Sequence, residues 1–132
     1  MSVLTGLGSV LQTAGVGTVG TNIFYAALPM TEPDNAIALV EYGGASPQWS
    51  FNQIEWEQPR VQVQVRSASG YASARTWAQS AWTALAAVKN QAIGGVWYQQ
   101  VAVLQSPFVL TLDEREQFVT FVFNVEVWKQ VG

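Results

Sequence analysis

The chain has 132 residues, of which 49% are hydrophobic and only 11% charged, and nine carboxylates against six bases give a formal charge of −3. A charged share this far below the roughly 25% usual for soluble domains points to surface that is meant to be covered, and the negative balance gives no broad cationic field for a phosphate backbone. With no histidine and no cysteine, every Ser-His-Asp, Cys-His and zinc site is excluded along with disulfides, so the fold stands on packing and on assembly.

The length suits one domain over 1–132. The opening "MSVLTGLGSVLQTAGVG" has no basic leader region, and no apolar run approaches the 18 or so residues that cross a bilayer, so a soluble protein made inside the cell is expected, without membrane contact. Residues 2 to 13 are predicted to form a short helix with Ser2 as cap and Leu4, Leu7 and Leu11 on one side, although Gly6 and Gly8 weaken it. Gly15, Gly17 and Gly20 then fall at the spacing of a dinucleotide-binding loop. The order here is helix, glycines, extended chain, the reverse of a Rossmann entry, and no Lys-Ser or Lys-Thr pair follows. The glycines are therefore read as a bend, and no cofactor is expected.

"TNIFYAALPM" reads as an extended or irregular segment, "TEPDN" as a turn and "AIALVEY" as the first firm strand. A long connection over 43–59 is expected next, holding Trp49, Phe51 and Trp56. These aromatics either pin the connection to its own domain or meet a neighbouring subunit, since aromatics are enriched at interface centres. In "PRVQVQVRS", Val61, Val63 and Val65 point one way and Gln62, Gln64 and Arg66 the other, the pattern of a sheet with one covered face. From Ser69 the period becomes helical, with Ala74, Trp77, Ala78, Ala81, Leu85 and Val88 on one stripe. "AIGG" is expected to stop this helix, with Lys89 at its negative end. One strand or two short ones follow in "VWYQQVAVLQSP". The last strand sets Val119, Phe121, Phe123, Val125 and Val127 beneath the helix and leaves a mixed opposite face with Asn124 and Glu126.

The expected fold is thus a small α+β domain: a mainly antiparallel or mixed four-stranded sheet, one principal helix packed on a face and a short N-terminal helix. No catalytic cluster stands out, and an enzyme is not expected. Asp113, Glu114 and Glu116 around Arg115 suit an acidic turn better than a metal site. Glu55 and Glu57 suit solvated or intersubunit charge better than an acid–base pair. Arg60 and Arg66 are placed to meet such carboxylates or to cover a channel wall, and Tyr71 to act as an aromatic lid over the sheet.

Four stretches in order, "NIFYAALPMTEPDNAIALVEYGG", "EQPRVQVQVR", "GYASARTWAQSAWTAL" and "DEREQFVTFVFNVEV", resemble the tail terminator, or minor capsid (tail completion), family of long-tailed bacteriophages over about residues 22–128. The matching positions are Phe24, Leu28, Pro29, Pro33, Asp34, Asn35, Gly43, Gly44, Pro59, Arg66, Tyr71, Asp113 and Asn124. The chain departs from the pattern at Met30 and Thr31 and in its aromatic-rich 43–59 connection. The resemblance implies a structural virion protein, assembled in the bacterial host cytoplasm, that closes into a ring, usually of six, at the head-proximal end of the tail. The implied partners are other copies of itself, the major tail tube protein and a head completion or connector protein, with DNA passing only transiently through the lumen. Asp34, Trp49, Phe51, Glu55, Trp56, Glu57, Arg60, Arg66, Asp113 and Arg115 are the interface candidates. The competing readings are another head–tail connector and a small ligand-binding or enzyme-like α+β domain.

Overall fold

A computed structural model describes residues 3–28, 33–49, 54–113 and 118–130, with backbone alone at 44–49, 54–55 and 111–113. The elements in chain order are α1 (Val3–Thr13), β1 (Ile23–Tyr25), β2 (Ala36–Trp49), β3 (Ile54–Ser67), α2 (Tyr71–Ala86), β4 (Lys89–Ile93), β5 (Val96–Val103), β6 (Phe108–Asp113) and β7 (Phe118–Gln130). The sheet has seven strands, where four were expected. Its order is β1-β2-β3-β7-β5-β4, with β6 paired to β7 off this path, and it curls into a half-barrel. β1 runs parallel to β2, and the other pairings are antiparallel.

The two alternating patterns meet as neighbours. β3 and β7 pair through Val61↔Val125, Val63↔Phe123 and Val65↔Phe121, and all six side chains are essentially removed from solvent. α2 crosses β3, β5 and β7 and lays Ala74, Ala78, Ala81 and Leu85 on them. Small side chains at this seam let the helix axis come close, and Trp77 and Trp82 pack at the border of the core. The helix ends at Ala86, earlier than expected. Val88 is still buried but has left the helix, Lys89 opens β4, and Gly94 and Gly95 turn the β4–β5 hairpin. β4 was not foreseen: four of its five residues are exposed and carry no apolar alternation.

The 43–59 stretch is likewise paired over most of its length. β2 and β3 continue as a hairpin arm through Gly43↔Arg60, Gly44↔Pro59, Ala45↔Gln58, Gln48↔Trp56 and Trp49↔Ile54, with three irregularities in register. Pro47 falls within one of these irregularities, where the ladder does not need every N–H, whereas Gly43, Gly44 and Pro59 stand in paired positions.

On the far side of β7, β5 pairs with residues 125–129 and β6 with 118–122, so two successive strands share one margin. The joint between them is sealed by backbone and side-chain hydrogen bonds together. Gln105 Oε1 accepts the Asn124 backbone N–H at 3.0 Å, the Leu104 N–H donates to the Asn124 carbonyl at 2.9 Å, and the Trp82 indole N–H donates to the Gln105 carbonyl at 3.0 Å. A backbone break that would leave β7 unsatisfied is thereby closed from α2.

α1 packs against β1, β2 and α2 with Val3, Leu7 and Leu11 buried. Its glycines are points of close approach. A Cβ on Gly6 would lie 2.2 Å from the Tyr98 hydroxyl oxygen, and one on Gly8 2.5 Å from that of Tyr25. Helix propensity is given up there for contact with the sheet.

Gly6→Ala is expected to lower stability by about 1–3 kcal/mol despite the better helix former, because Tyr98 is buried and cannot step aside. Adding Tyr98→Phe removes the clashing oxygen and is expected to restore much of the loss, as read by thermal and denaturant unfolding of the single and double variants.

Candidate assembly surface

The glycine bend disposes of a nucleotide site through its own hydrogen bonds. Gly15 and Gly20 lie at φ 78° and 86°, and the N–H groups of Thr18, Val19 and Gly20 are already used. Thr18 N–H donates to Asn22 Oδ1 at 2.7 Å, Val19 N–H to Gln12 Oε1 at 2.9 Å and Gly20 N–H to the Ile23 carbonyl at 3.0 Å. The Trp77 indole N–H donates to the Val16 carbonyl at 2.8 Å and ties the bend to α2. Beside it an open groove of about 580 Å³ runs between the bend and α2, lined by Ala14, Val16, Arg75, Thr76 and Gln79 among others. Its one ionisable side chain is Arg75, which is no acid–base constellation. Among the described residues no three metal-ligating side chains gather.

The charged candidates on the sheet are fixed to neighbouring strands. Arg60 and Glu126 are directly opposed on β3 and β7 and form an ion pair, Nε to Oε2, at 2.9 Å. Gln64 donates to Gln62 at 2.8 Å along the same open face. The Arg66 guanidinium donates to the Pro33 carbonyl at 2.8 Å and the Asp34 carbonyl at 3.2 Å and lies 5.6 Å over the Phe118 ring. Asn35 Oδ1 accepts the Ala68 N–H at 2.9 Å, so the Pro-Asp-Asn turn is strapped to the end of β3. Asp34 contributes its carbonyl to this strap and is itself exposed. Tyr71 stands against Phe121 with ring centroids 5.3 Å apart, half exposed, as a lid at the sheet's end.

Glu57 lies on the core-facing side of β3 and pairs with Lys129 of β7. Lys129 is only 2% exposed, and its ammonium also donates to the Gln130 carbonyl at 3.1 Å. Tyr98 is Lys129's neighbour in the β5–β7 ladder, and burial, reinforced by the charge of Glu57, pushes its phenol up to about 12. Sequence reasoning did not single out Lys129, although the alternation 119, 121, 123, 125, 127 continues to it.

Of the remaining candidates, Trp56 is partly buried opposite Gln130. Trp49, Glu55 and Asp113 sit in β2, β3 and β6 with backbone alone described, and Phe51 and Arg115 lie outside the described residues. The structure thus joins Arg60 to Glu126 and Glu57 to Lys129, and sets Arg66 on the Asp34 turn at the opposite end of β3. On the open face of β7, Asn124 Oδ1 and the Trp128 indole nitrogen are buried without a hydrogen-bond partner. Such orphaned groups cost about 1–3 kcal/mol each until another surface or water meets them.

The exposed large apolar side chains add a feature that sequence reasoning missed. Leu104, Phe108, Val109 and Leu110 follow closely in the chain and are 40–55% exposed. The available signal was "FVLTL", five residues without a charge after Pro107.

Residues 10–126 match the family model described as bacteriophage tail terminator protein. No curated protein matches in sequence. Among solved structures, the chain is similar to one from the virion of a native gene transfer agent (GTA) particle, with 13% identity, a TM-score of 0.74 and coverage of 98% of this chain and 96% of that one. At that identity the likeness carries the fold.

Two outcomes test the buried cluster. Glu57→Gln leaves a nearly inaccessible ammonium without its counter-charge and is expected to cost about 1–3 kcal/mol in denaturant unfolding, whereas Lys129→Met leaves a carboxylate that water can reach and costs less. Tyr98 holds its proton to higher pH in the folded than in the unfolded chain. Its contribution is complete below pH 10 and is lost as pH rises toward about 12, so wild-type stability is expected to fall more steeply over that window than that of Tyr98→Phe.

Proposed function

The chain belongs to the bacteriophage tail terminator family, and from that membership we propose how it acts. As a terminator it is a structural component of the virion tail at the head–tail junction, and its work is binding, without catalysis. In our reading all 132 residues act as one domain, and copies of it close into a ring, six as in the family it resembles, on the head-proximal end of the tail tube.

The mechanism is completion of a surface. The last ring of a growing tube exposes apolar patches and unpaired strand margins. A terminator ring covers them with one face and presents outward a face that further tube subunits do not fit. Closure is essential, because an open series of head-to-tail contacts would itself keep growing. Head completion or connector proteins meet the outward face, and DNA passes through the lumen without being held, consistent with a chain that has few cations. The β2–β3 arm, with Trp49, Phe51, Glu55 and Trp56, supplies contacts to a neighbour or to the tube, and Asp34, Asp113 and Arg115 contribute polar contacts at the margins. The single observation that carries this reading is the family match over residues 10–126.

The test is length control. Purified protein added to polymerising tube protein is expected to stop elongation, and tails assembled without it are expected to overrun. Binding to head-completion proteins but not to tube ends would assign the chain to a neighbouring connector instead. Trp56→Ala is expected to weaken ring formation or tube attachment at least several-fold in sedimentation while circular dichroism stays unchanged. Equal loss of folding would place Trp56 in the subunit core.

A further inference from the structure

Apart from Tyr71 on α2, Trp97 on β5 and Leu104 just after it, the exposed large apolar side chains lie on opposite margins of one sheet, with Phe108, Val109 and Leu110 on one and Tyr42 on the other. At one margin, β6 pairs with β7 on its inner side, and no described strand pairs its outer side. Phe108, Val109 and Leu110 are 44%, 40% and 55% exposed. Leu110 is the extra residue of a bulge, because Val109 faces Phe121 and Thr111 faces Thr120. At the other margin, β1 covers β2 only along Ile37–Leu39, so the outer side of β2 has no described partner strand from Val40 onward. Tyr42, 47% exposed, is the extra residue of a second bulge, since Glu41 faces Val61 and Gly43 faces Arg60.

An uncovered apolar edge is a liability that monomeric proteins blunt with charge or cover with another element. Phe108–Leu112 carries no charge, and its row of backbone donors and acceptors is satisfied by extended chain. A small molecule or a helix offers no matching ladder. The uncovered margin of β2 offers extended chain, with one exposed charge, Glu41, at its start and none from Tyr42 to Trp49. Because the two margins lie on opposite sides of the sheet, joining them relates copies head to tail, the relation that closes into rings.

We propose that the β6 edge at Phe108–Leu110 seats a second copy of this chain, which presents the opposite margin of its sheet where Tyr42 stands out from β2. The inference rests on the terminator reading for its ring. It adds which two margins meet, and that apolar bulge residues and strand edges hold them together without salt bridges.

Leu110→Lys and Tyr42→Lys, made separately, test it in the full chain, because each places a charge on a side chain already half in solvent. Each is expected to raise the concentration for half-assembly, in solution or on purified tube ends, by about tenfold or more, with the melting temperature and circular dichroism unchanged. The chain has no cysteine, which permits a second measurement independent of folding energetics. Leu110→Cys and Tyr42→Cys in one chain are expected to give an oxidised ladder ending at a closed ring, whereas either alone gives at most dimers. Lysine variants that assemble as wild type, or rings that form without cross-linking in the double-cysteine chain, overturn the inference while leaving the terminator reading standing. Rings that cross-link as expected but fail to stop tube growth overturn that reading and leave the interface. Wild-type protein that binds tube ends only as single copies overturns the second copy as occupant.

Discussion

β7 is thirteen residues long, and its backbone groups need partners on both sides because no water reaches them in the middle of a sheet. β3 satisfies one side in a single unbroken register. The other side takes two strands in tandem, and the break between them is closed by Gln105 and anchored by the Trp82 indole. Helix position, strand joint and central strand are therefore one coupled system. α2 crosses β3, β5 and β7, which leaves β6 as a margin that the helix does not shelter. The exposed apolar edge is thus a product of how the core is covered.

The parts of this fold that could be read in the sequence are those with a two-sided environment. Val61, Val63 and Val65, the odd positions from 119 to 127, and the Ala74–Leu85 stripe each have one face in the apolar core and one that is more polar, and period reports that difference directly. β4 and the hairpin arm lack it. "KNQAI" is exposed at four of five positions, and the arm mixes glycine, proline and aromatics through bulged pairing. For β6, "FVLTL" is apolar on consecutive positions, so alternation is silent, and only the absence of charge hints at its margin. The bend at Gly15–Gly20 was legible because chain order alone distinguishes a helix exit from a phosphate loop.

The candidate site was legible in a similar, partial way. Arg60 and Arg66 were correctly placed on the open face of β3, yet which group each meets depends on register and on the turn at 33–35 that folds back to it. Arg60 finds Glu126 because the β3–β7 pairing sets them opposite. Glu57 finds Lys129 because both fall on core-facing positions near the strand ends, where a buried ammonium is tolerable only with its counter-ion and a carbonyl. Local sequence records neither long-range partner.

Three of the chain's six bases, Arg60, Arg66 and Lys129, are committed to groups within their own subunit. Few cations are left for the outside, and the stretches Tyr42–Trp49 and Phe108–Leu112 carry no charge. Mobile ions weaken attractions between exposed charges but leave contacts between neutral margins largely untouched, and excluded salts strengthen them. A joint built on such margins keeps its hold when the particle leaves the crowded electrolyte of a cell for dilute water or for brine.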